Sequence, residues 1–238
     1  MSARPGWILL PAALVAALCA RLGVWQLDRL HERRASNARV MAAAALPLLS
    51  LNDGKAVGDR NDRRAVARGS FDRRYEVVLR SFVYQGAPGV RVVTPLRLAG
   101  SDSAVLVLRG FVPSDDARRA RLDSLEEPGE LSLTGVVRTI PTEPDSGGPL
   151  VREEGTTWRR LNLAALRART PYPLLAVYLI ADRDSSRHGF PIRLEPAPLD
   201  DGPHLSYALQ WFGFAITALV VGGVIAVKGR QKTEDGRL

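Results

Sequence analysis

The sequence predicts a membrane protein in which two transmembrane helices flank a β-rich α+β domain, a small antiparallel barrel or sandwich. Three observations predict it. Apolar residues bunch at both ends of the 238-residue chain, although the overall 46% hydrophobic content is an ordinary globular value. Charged residues fill the middle. Within that middle lie seven short alternating or β-branched runs, most of them separated by Gly, Pro, Asp or Ser.

The first span is residues 6–27, GWILLPAALVAALCARLGVWQL, with Arg21 as its one charge. Its length suits a tilted helix crossing a hydrocarbon core of about 30 Å. Pro11 is tolerable in such a helix. A cleaved signal peptide is the rival reading, with Arg4 before a short apolar stretch and Cys19-Ala20 after it. The apolar run continues through Leu22, Gly23, Val24, Trp25 and Leu27, and the small-x-small cleavage pattern is poor. A retained anchor is therefore expected, continued outward by a helical stretch over 27–44.

The domain between the spans, 28–204, carries the expected strands at 64–71, 75–84, 90–98, 104–112, 131–138, 157–163 and 174–181. Residues 115–121 and 162–169 read as short helices. Residues 143–149 read as a loop, and PAPLDDGP (196–203) as a stiff linker.

The second span, 205–227, has no charge, and its length corresponds to about 35 Å of helix. Lys228, Arg230 and Lys232 follow it, and Asp200 and Asp201 precede it. By the positive-inside rule the tail 228–238 is cytoplasmic, so both termini are cytoplasmic and 28–204 is extracytoplasmic. Arg29, Arg33 and Arg34 follow the first span and disagree. Long translocated domains obey the rule weakly, so the second span decides. The stretch before Trp7 lacks a long Arg/Ser-rich presequence, which favours a bacterial cell membrane over an organellar one.

The net charge of +8 invites a nucleic-acid reading. Between Asp28 and His204, however, the balance is only +4, with both signs mixed, as in RLHERR. That is an ordinary solvated surface, so no nucleic-acid partner is expected. The single cysteine, Cys19, excludes an intramolecular disulfide and paired-thiol redox or metal chemistry.

PDSGGPL (144–150) resembles the nucleophile stretch of chymotrypsin-like proteases. The chemistry fails: the upstream histidine is His31, beside the anchor, and Pro144 stands where an oxyanion N–H is needed. Asp182, Asp184, Ser185 and His188 crowd into seven residues and read as a polar turn. With no general base and positioned partner, no enzymatic activity is expected.

The predicted topology brings LGVWQLDR and HLSYALQWF to one membrane surface. His204, Tyr207, Ala208, Trp211 and Ala215 share a helical stripe that can face Trp25 and Arg29. Two readings stay open. Trp and Tyr form interfacial belts in membrane helices. Alternatively, an imidazole at a span boundary offers its lone pair to a metal, haem iron included.

LGVWQLDRL, VARGSFD, RVVTPL, VLVLRGFVP, GVVR before a Pro-rich loop, Trp158 and HLSYALQWF occur in that order. The set resembles the surfeit locus protein family of cytochrome c oxidase assembly factors, from Leu22 to Phe214. Departures include Asp-Gly-Pro before His204, His31-Glu32-Arg33, and Phe111 where Trp often occurs. The resemblance implies a non-enzymatic, membrane-anchored assembly factor that binds haem a and helps place it in the oxidase catalytic subunit. His204 matches the implied iron ligand. Tyr207, Trp211 and Trp25 would then flank the porphyrin, and Arg29 would pair with a propionate. The implied partners are the oxidase catalytic subunit, haem a synthase and the lipid bilayer. A cofactor-free scaffold for assembly intermediates is the alternative.

Overall fold

Helix α1 (Gly6–Ala45) and helix α3 (His204–Asp235) enclose a β domain whose elements in chain order are β1 (Leu49–Ser50), β2 (Arg64–Phe71), β3 (Val77–Tyr84), β4 (Ala87–Leu98), β5 (Ala104–Pro113), β6 (Leu131–Thr139), β7 (Leu150–Arg152), β8 (Gly155–Trp158), α2 (Leu163–Arg169) and β9 (Leu174–Ala181). This computed structural model describes residues 6–53, 61–118, 125, 127–140, 150–152, 155–183, 189–196 and 198–235. The chain forms two compact units, residues 1–39 with 198–238, and residues 40–197.

In the first unit α1 and α3 pair antiparallel along a seam of small residues. Ala16, Cys19, Gly23 and Leu30 are buried on α1, and Ala208, Ala215, Gly222 and Ala226 on α3. Their spacing of three, four or seven keeps one stripe of each helix at the contact. The approach is close: a Cβ on Gly23 would come within 2.6 Å of the Phe212 ring, and one on Gly222 within 2.5 Å of Ala12 Cβ. The large apolar side chains point the other way. Leu10, Leu14, Leu18, Leu209, Ile216 and Val220 are all exposed. A helix pair in water buries its large apolar groups, whereas in lipid small residues let backbones approach while the large ones meet acyl chains.

In the second unit β2, β6, β9, β5 and β4 pair in sequence, and a β2–β4 pairing closes them into a five-stranded barrel. Alternation in each strand sends Ala65, Ala67, Leu96, Val105, Val107, Leu133, Val137, Val177 and Leu179 into one buried cluster. Opposite-face residues Leu106, Leu108 and Leu174 join Leu163 and Leu166 of α2 in a second cluster. Strands β3, β8 and β7 extend the sheet beyond β4.

Three expectations need correction. Of the two expected architectures the barrel is the one found, but it is not purely antiparallel: β5 pairs β9 in parallel, as β1 pairs β2 and β3 pairs β8. The chain reaches β9 through α2, and a crossover of that kind permits parallel pairing. Residues 157–163 are not one strand. Only Thr157 and Trp158 belong to a strand, and Asn162 then caps α2, its side chain accepting from Ala165 N at 3.0 Å. Residues 115–118 form a turn rather than a helix, with Asp116 Oδ1 accepting from Arg118 N at 2.8 Å. The rest of that expected helix, residues 143–149 and residues 184–188 lie outside the described residues.

Candidate functional site

His204 is the first residue of α3. It is half-buried, and its Nδ1 lies 3.0 Å from Gln26 Oε1 on α1. The residue that meets His204 across the seam is therefore Gln26, one position beyond the expected Trp25. Gly202, at φ 65°, sits beneath the ring's other edge. A Cβ there would reach 3.4 Å from His204 Cδ2 and 3.6 Å from Nε2. The missing side chain leaves that edge uncrowded, and the left-handed backbone suits glycine.

The linker into α3 is held by α1. The Asp200 carbonyl accepts from Arg33 Nε at 3.1 Å and from Asn37 Nδ2 at 2.9 Å. Asp201 Oδ2 accepts from both Nε and Nη2 of Arg34, at 2.9 and 2.8 Å. The Arg34 hydrogen bonds hold the Asp201 carboxyl below its ordinary range. Ser206 Oγ and Tyr207 N both donate to the Pro203 carbonyl and close the first turn of α3.

The other expected site residues surround this point unevenly. Trp211 is half-buried against Ala16, Cys19 and Ala215, and meets Phe214 edge-on at 5.8 Å. Tyr207 is 46% exposed, and so is Trp25, which lies off the seam with the Arg29 guanidinium 6.0 Å from its ring centroid. Arg29 also pairs with Glu32 at 2.5 Å, an exposed contact of small energetic weight. At about 3.6 residues per turn, Trp25 and Arg29 occupy one flank of α1, and Tyr207, Trp211 and Phe214 one flank of α3.

The donor set can be tested for fit. Among the described residues no group of three or more His, Cys, Asp or Glu side chains is assembled, so a cage of protein ligands has no donors there. A porphyrin brings four of its own nitrogens and asks the protein for an axial ligand, flat apolar contacts and cations for its carboxylates. One imidazole, three aromatic rings beyond Trp25 and an exchangeable arginine match that demand.

A second polar cluster lies within the barrel domain. Arg109 is fully buried. It pairs with Glu76 at 2.8 Å and Glu127 at 2.9 Å, approaches Thr94 Oγ1 at 3.4 Å and donates to the Leu125 carbonyl. Its guanidinium stacks 4.9 Å from the Phe71 centroid. Arg193 closes the network, pairing with Glu127 at 2.9 Å and donating to the Arg109 carbonyl. A β-bulge aims Arg109 inward: Val92 pairs with Gly110 and Val93 with Leu108, leaving Arg109 as the extra residue. Gly110 carries the bulge at φ 145°, with Ile192 O only 2.2 Å from where its Cβ would sit. Two arginines against two glutamates balance the charge, and the pairs are hydrogen-bonded as burial requires.

In chain order, then, a closed β-barrel domain is preceded and followed by helices long and apolar enough to cross a membrane, and one histidine is tied across the helical seam. The SURF1 family model matches residues 13–216, and the chain belongs to that family, known in general as one of oxidase assembly factors. An uncharacterised SURF1-like protein of Mycobacterium tuberculosis is 28% identical over 247 residues, covering 98% of this chain and 89% of that protein. Surfeit locus protein 1 of Rattus norvegicus is 27% identical over 228 residues, covering 87% and 71%. The Takifugu rubripes protein of the same name is 26% identical, covering 87% and 90%.

Sequence reasoning missed Gln26, Gly202 and the Asp200–Asp201 tether. An amide one turn before the arginines, at the level of the histidine, was the available signal for Gln26.

Proposed function

We propose that this chain is a non-enzymatic assembly factor for cytochrome c oxidase that takes haem a as cargo on His204 and assists its insertion into the catalytic subunit. The observation that carries the reading is the His204–Gln26 contact, which fixes an imidazole at the end of the seam beside an aromatic flank. His204 would hold the iron. Tyr207, Trp211 and Trp25 would bound the porphyrin plane, and Arg29 would exchange Glu32 for a propionate. When carried, haem a brings the electron-transfer chemistry that the oxidase requires; the chain's own residues bind it, orient it and shield it from water.

The helix pair is the membrane anchor, with both termini cytoplasmic and residues 28–204 extracytoplasmic, in the cell membrane. The inverted pattern of small seam and large exposed apolar residues supports the anchoring, and the basic residues after the second span support the orientation. The barrel domain docks the oxidase catalytic subunit, and haem a synthase is the donor of the cargo.

The test is an absorption spectrum of protein purified in detergent from cells that make haem a. A Soret band in the parent that is lost in His204→Ala is expected. Equal haem in the variant rejects the ligand. Copurified oxidase subunits without any Soret band would favour a cofactor-free scaffold.

A further inference from the structure

From the contact between His204 Nδ1 and Gln26 Oε1 we infer that Gln26 is a positioning residue: it holds the imidazole in the Nδ1–H tautomer and so presents the Nε2 lone pair to an iron. The inference rests on the haem reading but concerns a residue that reading does not require.

A neutral imidazole carries one proton on either ring nitrogen, and the hydrogen bond made by one nitrogen sets the state of the other. Gln26 Oε1 is an acceptor only. With Oε1 at 3.0 Å from Nδ1, the pairing favours the tautomer that carries the proton on Nδ1 and leaves Nε2 unprotonated. Nε2 is also the nitrogen beside Gly202, where a Cβ would stand 3.6 Å from it. The opposite tautomer would leave Oε1 facing a lone pair.

The geometry is fixed from both sides. Gln26 lies on the α1 seam stripe between the buried Gly23 and Leu30, so packing places it. His204 is placed by the linker, whose Asp200 carbonyl and Asp201 carboxylate are gripped by Arg33, Asn37 and Arg34. A ligating histidine held this way keeps one ring orientation, as outer partners of metal-bound histidines ensure.

The test reads the tautomer without cargo and the affinity with it. Nitrogen-15 NMR of histidine-labelled, detergent-purified full chain should show His204 protonated at Nδ1. Gln26→Leu should move the proton to Nε2 or mix the two forms, whereas Gln26→Glu, which keeps an acceptor, should retain Nδ1–H. Titration with haem a should show Gln26→Leu weakened about 10- to 100-fold, the usual cost of removing such an outer partner, and Gln26→Glu close to the parent. An Nε2–H signal in the parent overturns the inference, as does unchanged haem affinity in a folded Gln26→Leu protein. A parent that binds no haem a rejects the cargo reading instead, and the nitrogen-15 spectrum still decides the tautomer.

Discussion

Replacing Arg109 with methionine removes one buried cation while keeping most of its volume. The structure says what each partner loses. Glu76 is 5% exposed and would keep only the Thr94 hydroxyl, at 2.5 Å. Glu127 would keep Arg193, and the Leu125 carbonyl would lose a donor. The loss is therefore one uncompensated buried carboxylate plus one weakened tether, for which about 3–5 kcal/mol is the expected cost. Adding Glu76→Gln to Arg109→Met removes the stranded charge and should recover about 1–3 kcal/mol of it, a coupling typical of groups in contact. Urea unfolding of the detergent-purified full chain measures both. Of the four tryptophans only Trp158 lies in residues 40–197, and it is buried in the barrel domain's larger cluster, so its fluorescence reports that domain. An Arg109→Met loss below about 1 kcal/mol would refute the reasoning, as would a double variant less stable than the single one.

Three further outcomes follow from the same geometry. Hydrogen bonds from Arg74, opposed by burial, hold Asp72 below its ordinary 3.8. Its contribution is complete above about pH 4 and is lost as the pH falls through the lowered native value. Asp72→Asn should therefore flatten the acid limb of a stability–pH curve, and coincident limbs would contradict this. Gly110→Ala drives a Cβ to within 2.2 Å of Ile192 O at φ 145°; it should unfold the bulge and with it the Arg109 network, seen as a lowered urea midpoint. Gly23→Leu collides with Phe212 at 2.6 Å and should splay the seam. Cys19, 7% exposed there and the chain's one thiol, should then react with maleimide severalfold faster, and an unchanged rate would show that the seam does not pack as described.

Strands β2 and β9 were legible to the residue because β2 alternates along its length, β9 is an unbroken apolar run, and both lie between turn formers. β4 and β5 were legible except at their ends. The two-residue β1 and three-residue β7 carry too little pattern to be read. Closure was not legible either, since alternation gives the buried face of a strand and not its neighbours: Gly69 against Leu98 is what joins β2 to β4. TWRRLNL misled because Leu161 and Leu163 continue an alternating pattern past Trp158, while the stop is set by Asn162 turning its side chain to cap α2. At the site, His204, Tyr207 and Trp211 announced themselves by residue type. Gln26 did not, because a glutamine beside a tryptophan at a helix end is unremarkable until the partner across the seam is known. Glu76, Glu127 and Arg193 were invisible for the same reason: each looks like surface charge, and only the bulge at Arg109 gathers them.

The arginines after the first span illustrate how pairing changes the meaning of a charge. Read singly, Arg29, Arg33 and Arg34 oppose an outward-facing domain. In the structure each faces an acid: Glu32 at 2.5 Å, Asp200 at 3.6 Å and Asp201 at 2.8 Å. All six side chains are roughly half exposed, so the set does little for stability. Its effect is positional. Two of the donors, Arg33 Nε and Asn37 Nδ2, bind the Asp200 backbone carbonyl, a contact that fixes the path of the chain two residues before Gly202 and four before His204. The same cations are thus committed to a tether between α1 and the linker. That tether is the reason the histidine stands where Gln26 meets it.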